Sequence, residues 1–138
     1  MNIKVKDLMV EKVVTASPDD NTLELKRIMN ERRIHAIPVV EDGEPVGMIT
    51  STDLLRKGNE NRRVGFAMTK KVYTVPEYSD ISVAARVMRN HHIHHVVVTH
   101  EKSVIGVLSS FDLLRLVEDH RFQMKNPSTP SKKAAKRA

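Results

Sequence analysis

Two short stretches carry the side chains best suited to chemistry. They are Gly47-Met-Ile-Thr50-Ser-Thr-Asp53 and Gly106-Val-Leu-Ser109-Ser-Phe-Asp112. In each, an apolar run ends, a hydroxyl follows and an acid opens a helix. Glycine admits close approach of backbone or ligand. A hydroxyl beside a helix N-terminus offers donors to an anion such as phosphate. A carboxylate can accept two hydrogen bonds, as a vicinal diol supplies them. The combination suits a ribose phosphate. The same residues also make ordinary helix caps, and the sequence leaves both roles open.

A second pair of stretches is Ile34-His35-Ala36-Ile37-Pro38-Val39-Val40 and Ile93-His94-His95-Val96-Val97-Val98. The apolar runs read as buried strands whose flat wall can also hold an aromatic base. The imidazoles precede them at a helix-to-strand corner, where ring N–H groups can reach phosphate oxygens. The run His91–His95 also offers imidazoles for zinc or nickel. Yet His91 and His92 fall at the end of a helix, where partial positive charge is favoured without any ligand. Phosphate contact, a metal and simple dipole pairing are three readings of one run. His100 and His120 read as surface residues.

No catalytic arrangement emerges. Phosphate-loop, dinucleotide and zinc-protease motifs are missing, and no acid and base stand at a characteristic spacing. The absence of cysteine excludes disulfides, thiolate metal sites and cysteine nucleophiles. The expectation is a non-enzymatic protein.

An internal repeat positions these groups. Shifted by 59 residues, 5–56 lies on 64–115 without a gap. Met9, Val13 and Thr15 meet Met68, Val72 and Thr74. Ile34, His35 and Val39 meet Ile93, His94 and Val98, and Gly47, Ser51, Asp53 and Leu54 meet Gly106, Ser110, Asp112 and Leu113. The repeats span 1–60 and 61–123, followed by a tail at 124–138. Each half is too small to hold a core alone, so two copies should pack about a pseudo-twofold axis. Each reads β-α-β-β-α. A short extended piece (Val13–Thr15; Val72–Thr74) precedes an amphipathic helix (Thr22–Arg33; Ile81–His91). Leu25, Ile28 and Met29, or Ala84, Val87 and Met88, share one face of it. Asp20 or Asn21 caps the first helix, and Ser79 or Asp80 the second. Two strands follow (Ala36–Val40 and Pro45–Ile49; His95–Thr99 and Val104–Leu108), with Gly43 in the first hairpin turn. A last helix starts near Asp53 and near Asp112. Residues 57–63 read as a polar linker.

Composition bounds the partners. The net charge is +6. Lys125, Lys132, Lys133, Lys136 and Arg137 stand in the tail without an acid, which leaves the body nearly neutral. The tail reads as disordered and solubilising, or as a polyanion-binding segment. Aromatic residues are 4%, too few for a stacking platform on single-stranded nucleic acid. No apolar run approaches a spanning helix, and the charged N-terminus lacks the apolar core of a signal peptide. The expected location is the cytoplasm, with no membrane insertion.

The doubled His-strand and Gly-x-x-Thr/Ser-x-x-Asp elements resemble a tandem pair of cystathionine β-synthase (CBS) domains, the Bateman module, over residues 5–120. The resemblance implies an α/β disc, usually a homodimer. It also implies regulatory binding of an adenosyl ligand (AMP, ADP, ATP or S-adenosylmethionine) in two clefts between the repeats, and a signal passed to an unidentified partner protein. It places Thr50 and Asp53, with Ser109 and Asp112, at phosphate and ribose. Val13, Thr15, Val72 and Thr74 would meet the base. His35, Ala36, Ile37 and Pro38, with His94, His95 and Val96, would line the pre-strand corners. On that pattern Asp53 shares a cleft with His94 and His95, and Asp112 with His35. The first cleft, with two imidazoles, is expected to be the tighter. The second has Phe111 where the first has Thr52, and Val97 where the first has Pro38. Two alternatives stand beside this sensor: a ligand-independent dimeric scaffold that uses the basic tail, and a metal-responsive protein that uses His91–His95.

Overall fold

A computed structural model describes residues 2–11 and 13–120. The elements run α1 (Val5–Leu8), α2 (Thr22–Arg32), β1 (Ala36–Glu41), β2 (Glu44–Thr50), α3 (Ser51–Leu55), α4 (Val64–Ala67), β3 (Thr74–Pro76), α5 (Ile81–His91), β4 (His95–His100), β5 (Ser103–Ser109) and α6 (Ser110–His120). The basic tail expected at 124–138 lies outside the described residues.

The expected helices and hairpins form where the periodicity places them. The Asn21 side chain accepts from the Leu23 N–H, and the Asp80 side chain accepts from Ser82 N–H, so the second of each pair of candidate caps is the one used. β1 pairs antiparallel with β2, and β4 with β5. In the first hairpin turn Asp42 and Gly43 both have positive φ, 54° and 82°, the mirror-image turn that matches strand twist. The second makes the same turn without glycine, at Glu101 (49°) and Lys102 (76°).

The leading strand differs between repeats. β3 pairs parallel with β4, whereas Val13–Thr15 form no strand and only Ala16 bridges to Val39. The reason is two prolines. Val97 N–H donates to the Tyr73 carbonyl at 3.0 Å, and Glu77 N–H to Thr99 at 3.2 Å. The corresponding residues in the first repeat are Pro38 and Pro18, which have no N–H to give. The extended piece expected at Val13–Thr15 therefore lacks its ladder.

Two helical turns not anticipated from the sequence, α1 and α4, are exchanged between the repeats. Val5 and Leu8 pack with Val75, Ile81, Ala84, Met88, Val96 and Leu108 of the second repeat. Val64 and Ala67 pack with Leu25, Met29, Ile37, Val39 and Ile49 of the first. Backbone bonds hold the exchange: Val5 N–H to Ser79 at 2.9 Å, and Val64 N–H to Asp20 at 2.7 Å. A four-residue turn holds little stability of its own, so burial against the opposite sheet is what forms it. A third cluster of Ala36, Met48 and Val97 joins the two sheets.

The 57–63 segment is docked rather than loose. Asn59 is buried, its amide donates to the Asp53 carbonyl at 2.8 Å, and Arg62 donates to its side-chain oxygen at 3.0 Å. Arg62 and Thr22 exchange two further bonds, Arg62 N–H to Thr22 Oγ1 at 3.0 Å and Thr22 N–H to the Arg62 carbonyl at 2.9 Å. Asn59 takes the carbonyl that a continuing helix would use, which ends α3 after five residues while α6 runs for eleven.

Candidate functional site

The two hydroxyl–acid elements lie where β2 enters α3 and where β5 enters α6. Each hydroxyl is an N-cap: Thr50 Oγ1 accepts from Asp53 N–H at 3.2 Å, and Ser109 Oγ from Asp112 N–H at 3.1 Å. Each acid reaches back, Asp53 Oδ2 to Thr50 N–H at 2.9 Å and Asp112 Oδ2 to Ser109 N–H at 2.8 Å. This reciprocal box stabilises the helix start. It leaves unequal carboxylates. Asp53 is only 2% exposed and takes further bonds from Thr50 Oγ1 at 3.0 Å and from Thr69 Oγ1 at 3.2 Å. Arg56 lies 3.7 Å from its Oδ1. Asp112 is half-buried and, among the described residues, takes no side-chain bond from the other repeat.

The glycines of these elements serve the exchanged turns. A methyl group on Gly47 would sit 2.4 Å from Met68 Sδ, and one on Gly106 would sit 2.8 Å from Met9 Sδ and 2.9 Å from the Val10 carbonyl. The close approach read from the sequence is therefore made by the opposite repeat's leading segment.

Each pre-strand corner is tied to the helix start of its own repeat. Ser51 N–H donates to the His35 carbonyl at 3.0 Å, and Ser110 N–H to that of His94 at 2.9 Å. Ser110 Oγ lies 3.5 Å from His94 Nδ1. Burial depresses the His95 pKa; His94 and His35 push it the same way, and Asp112 opposes them. His35, His94, His95 and Asp112 thus share one electrostatic neighbourhood. His35 and Ser51 also line a cavity of about 510 Å³ with Met29, Asn30, Arg33 and Ile34. A second cavity of about 290 Å³, floored by Pro18, Val46 and Met68 beside Phe66, contains none of the anticipated residues.

The remaining anticipated residues divide by burial. Ala36, Ile37, Pro38 and Val96 are buried in the sheets; Val13 and Val72 are half-buried, and Thr15 and Thr74 exposed. The histidine run does not assemble. His91 ends α5 and stacks on Tyr73 at 4.2 Å between ring centroids, and His92 is the left-handed cap at φ 54°. Among the described residues no three His, Asp or Glu side chains converge to hold a metal ion. The chain turn at His92 splits the run between a helix end and a strand. Thr69 and its counterpart Val10 were not anticipated as site residues. The mismatch at matching repeat positions was visible, but its partner sixteen residues away was not.

The family model of the CBS domain matches twice, at 5–60 and 62–119. The chain belongs to the CBS domain family. A relative, protein YlbB of Bacillus subtilis, is 32% identical over 117 residues, covering 80% of this chain and 79% of its own length. Protein MJ0188 of Methanocaldococcus jannaschii is 30% identical over 118 residues, covering 83% of this chain. The alignment spans 44% of that protein, so this CBS pair matches less than half of it. Among solved structures, the CBS domain pair of protein MJ0100 in complex with 5′-methylthioadenosine and S-adenosyl-L-methionine matches with a TM-score of 0.80. It is 27% identical and covers 87% of this chain and 99% of that one. The match establishes the CBS-pair fold. Among the described residues no helix is long and apolar enough to cross a membrane.

Proposed function

We propose that this CBS pair is a non-enzymatic regulatory module that binds an adenosyl ligand between its repeats and passes the change to a partner protein in the cytoplasm. The observation that carries the reading is the pair of N-cap hydroxyl–acid elements tied to the pre-strand corners of His35, His94 and His95. Carboxylates there suit the ribose diol, and hydroxyls, helix N-terminal N–H groups and imidazoles suit phosphate. The adenosyl ligands of the MJ0100 pair support the ligand class. Val13, Thr15, Val72 and Thr74 would flank the base, and Ala36, Ile37, Pro38 and Val96 the wall beneath it.

The ligand acts only through unequal affinity for two states of the module. A homodimer provides those states. Leu55 and Leu114 occupy matching repeat positions and are 81% and 58% exposed, with Phe111 and Val117 beside Leu114 on α6. Burying them against a second copy is the expected use of that face.

Isothermal titration of the purified chain with AMP, ADP, ATP, S-adenosylmethionine and 5′-methylthioadenosine tests the reading. Micromolar binding of one of them is expected. No binding across the panel would overturn it and leave the two acids as helix caps. Sedimentation with and without the ligand tests the dimer.

A further inference from the structure

The two clefts are related by the sequence repeat, yet their carboxylates are in different states. We infer that Thr69 keeps the Asp53 cleft closed, so that the chain takes one adenosyl ligand, at Asp112. The inference rests on the adenosyl reading above and specifies which half of the site operates.

A ribose diol needs free acceptor positions on the acid. An ionised carboxylate has about four. Three of those of Asp53 are engaged, by Thr50 N–H at 2.9 Å, Thr50 Oγ1 at 3.0 Å and Thr69 Oγ1 at 3.2 Å, and the Arg56 guanidinium stands 3.7 Å from Oδ1. Thr69 is itself exposed and lies over the carboxylate, which is 2% exposed beneath it. Its backbone is pinned to Met48 by two bonds of 2.9 Å. A ligand hydroxyl would have to displace a hydroxyl already held in place.

The matching position in the other half is Val10. It makes the same backbone pairing, to Val107 at 3.0 and 3.4 Å, and has no hydroxyl to donate. Asp112 is half-buried, and among the described residues it accepts one bond, from Ser109 N–H at 2.8 Å. Asp112, with His94 and His35, also acts on the titration of the half-buried His95. This order reverses the one drawn from counting imidazoles along the sequence, because the count omits what already occupies the acid.

The test is titration calorimetry of the full chain with AMP and, separately, S-adenosylmethionine. It compares wild type with Asp112→Asn, Thr69→Val, Thr69→Ser and Val10→Thr, each checked by circular dichroism. Asn at 112 keeps the cap acceptor but removes the charge. The expected results are one ligand per chain for wild type and Thr69→Ser, and at least tenfold weaker binding for Asp112→Asn. Val10→Thr should weaken binding severalfold, and Thr69→Val should bind two. Two equal sites in wild type would overturn the inference, as would full affinity in Asp112→Asn or a stoichiometry of one in Thr69→Val. In each of those cases the adenosyl reading survives. No binding of either probe by wild type and Thr69→Val would overturn both.

Discussion

Gly47 lies against the thioether of Met68: a methyl group added to the glycine would stand 2.4 Å from the sulfur and 2.9 Å from Cγ. Met68 follows the exchanged turn α4, so this one contact registers the second repeat's leading segment on the first repeat's hairpin. Gly47→Ala is expected to destabilise the fold by about 1–3 kcal/mol, the usual penalty for overpacking. Gly106→Ala should cost more, because its added methyl would also meet the Val10 carbonyl at 2.9 Å, which is backbone. Urea unfolding of both variants checks the order. The Gly47→Ala and Met68→Ala pair should be non-additive in a double-mutant cycle.

His95 makes stability pH-dependent with a definite sign. Its folded pKa is depressed, first by burial and then by His94 and His35. Between that value and the unfolded value of about 6.5, the unfolded chain binds more protons. Its contribution is therefore fully present above about pH 6.5 and declines as pH falls toward the folded pKa. In urea unfolding at pH 8 and pH 5.5, His95→Gln should lose less stability than wild type on acidification. A bound phosphate would favour the imidazolium, so ligand binding near pH 6.5 should take up protons, measurable as a buffer-dependent calorimetric enthalpy.

Asn59 ties the inter-repeat segment to α3 through the Asp53 carbonyl and Arg62. Asn59→Ala removes one of the two donors to that carbonyl, leaving Arg56 N–H at 3.2 Å, and a loss of about 0.5–1.5 kcal/mol is expected. Thermal unfolding followed by circular dichroism measures it. Asn59→Asp should not rescue, because a carboxylate cannot donate to the carbonyl.

Lys102 holds φ 76° in the second hairpin turn, where the first has Gly43 at 82°. A non-glycine residue in that region carries strain on the order of 1 kcal/mol. Lys102→Gly is expected to stabilise the protein by up to about that amount, and Gly43→Ala to destabilise it. Chemical denaturation midpoints of the two variants should move in opposite directions.

Much of this protein is written locally. The repeat register, the amphipathic faces of α2 and α5, the Asn21 and Asp80 caps and the hairpin at Gly43 follow from side-chain periodicity and turn chemistry. So do the Thr50–Asp53 and Ser109–Asp112 boxes, whose partners are three residues apart. The prolines at 18 and 38 were equally plain as residues, but their effect on Val13–Thr15 needed the strand pairing.

The tertiary structure alone decided which repeat each leading turn belongs to in space, what fills the gap at Gly47 and Gly106, and which carboxylate remains open. The physical reason is common to all three. Periodicity reports that a face is apolar or that an acid can accept bonds. It does not report what covers the face or meets the acid when that partner comes from the other repeat. Val5 closes the second core, and Thr69 caps Asp53, only because the chain folds back across its own pseudo-symmetry.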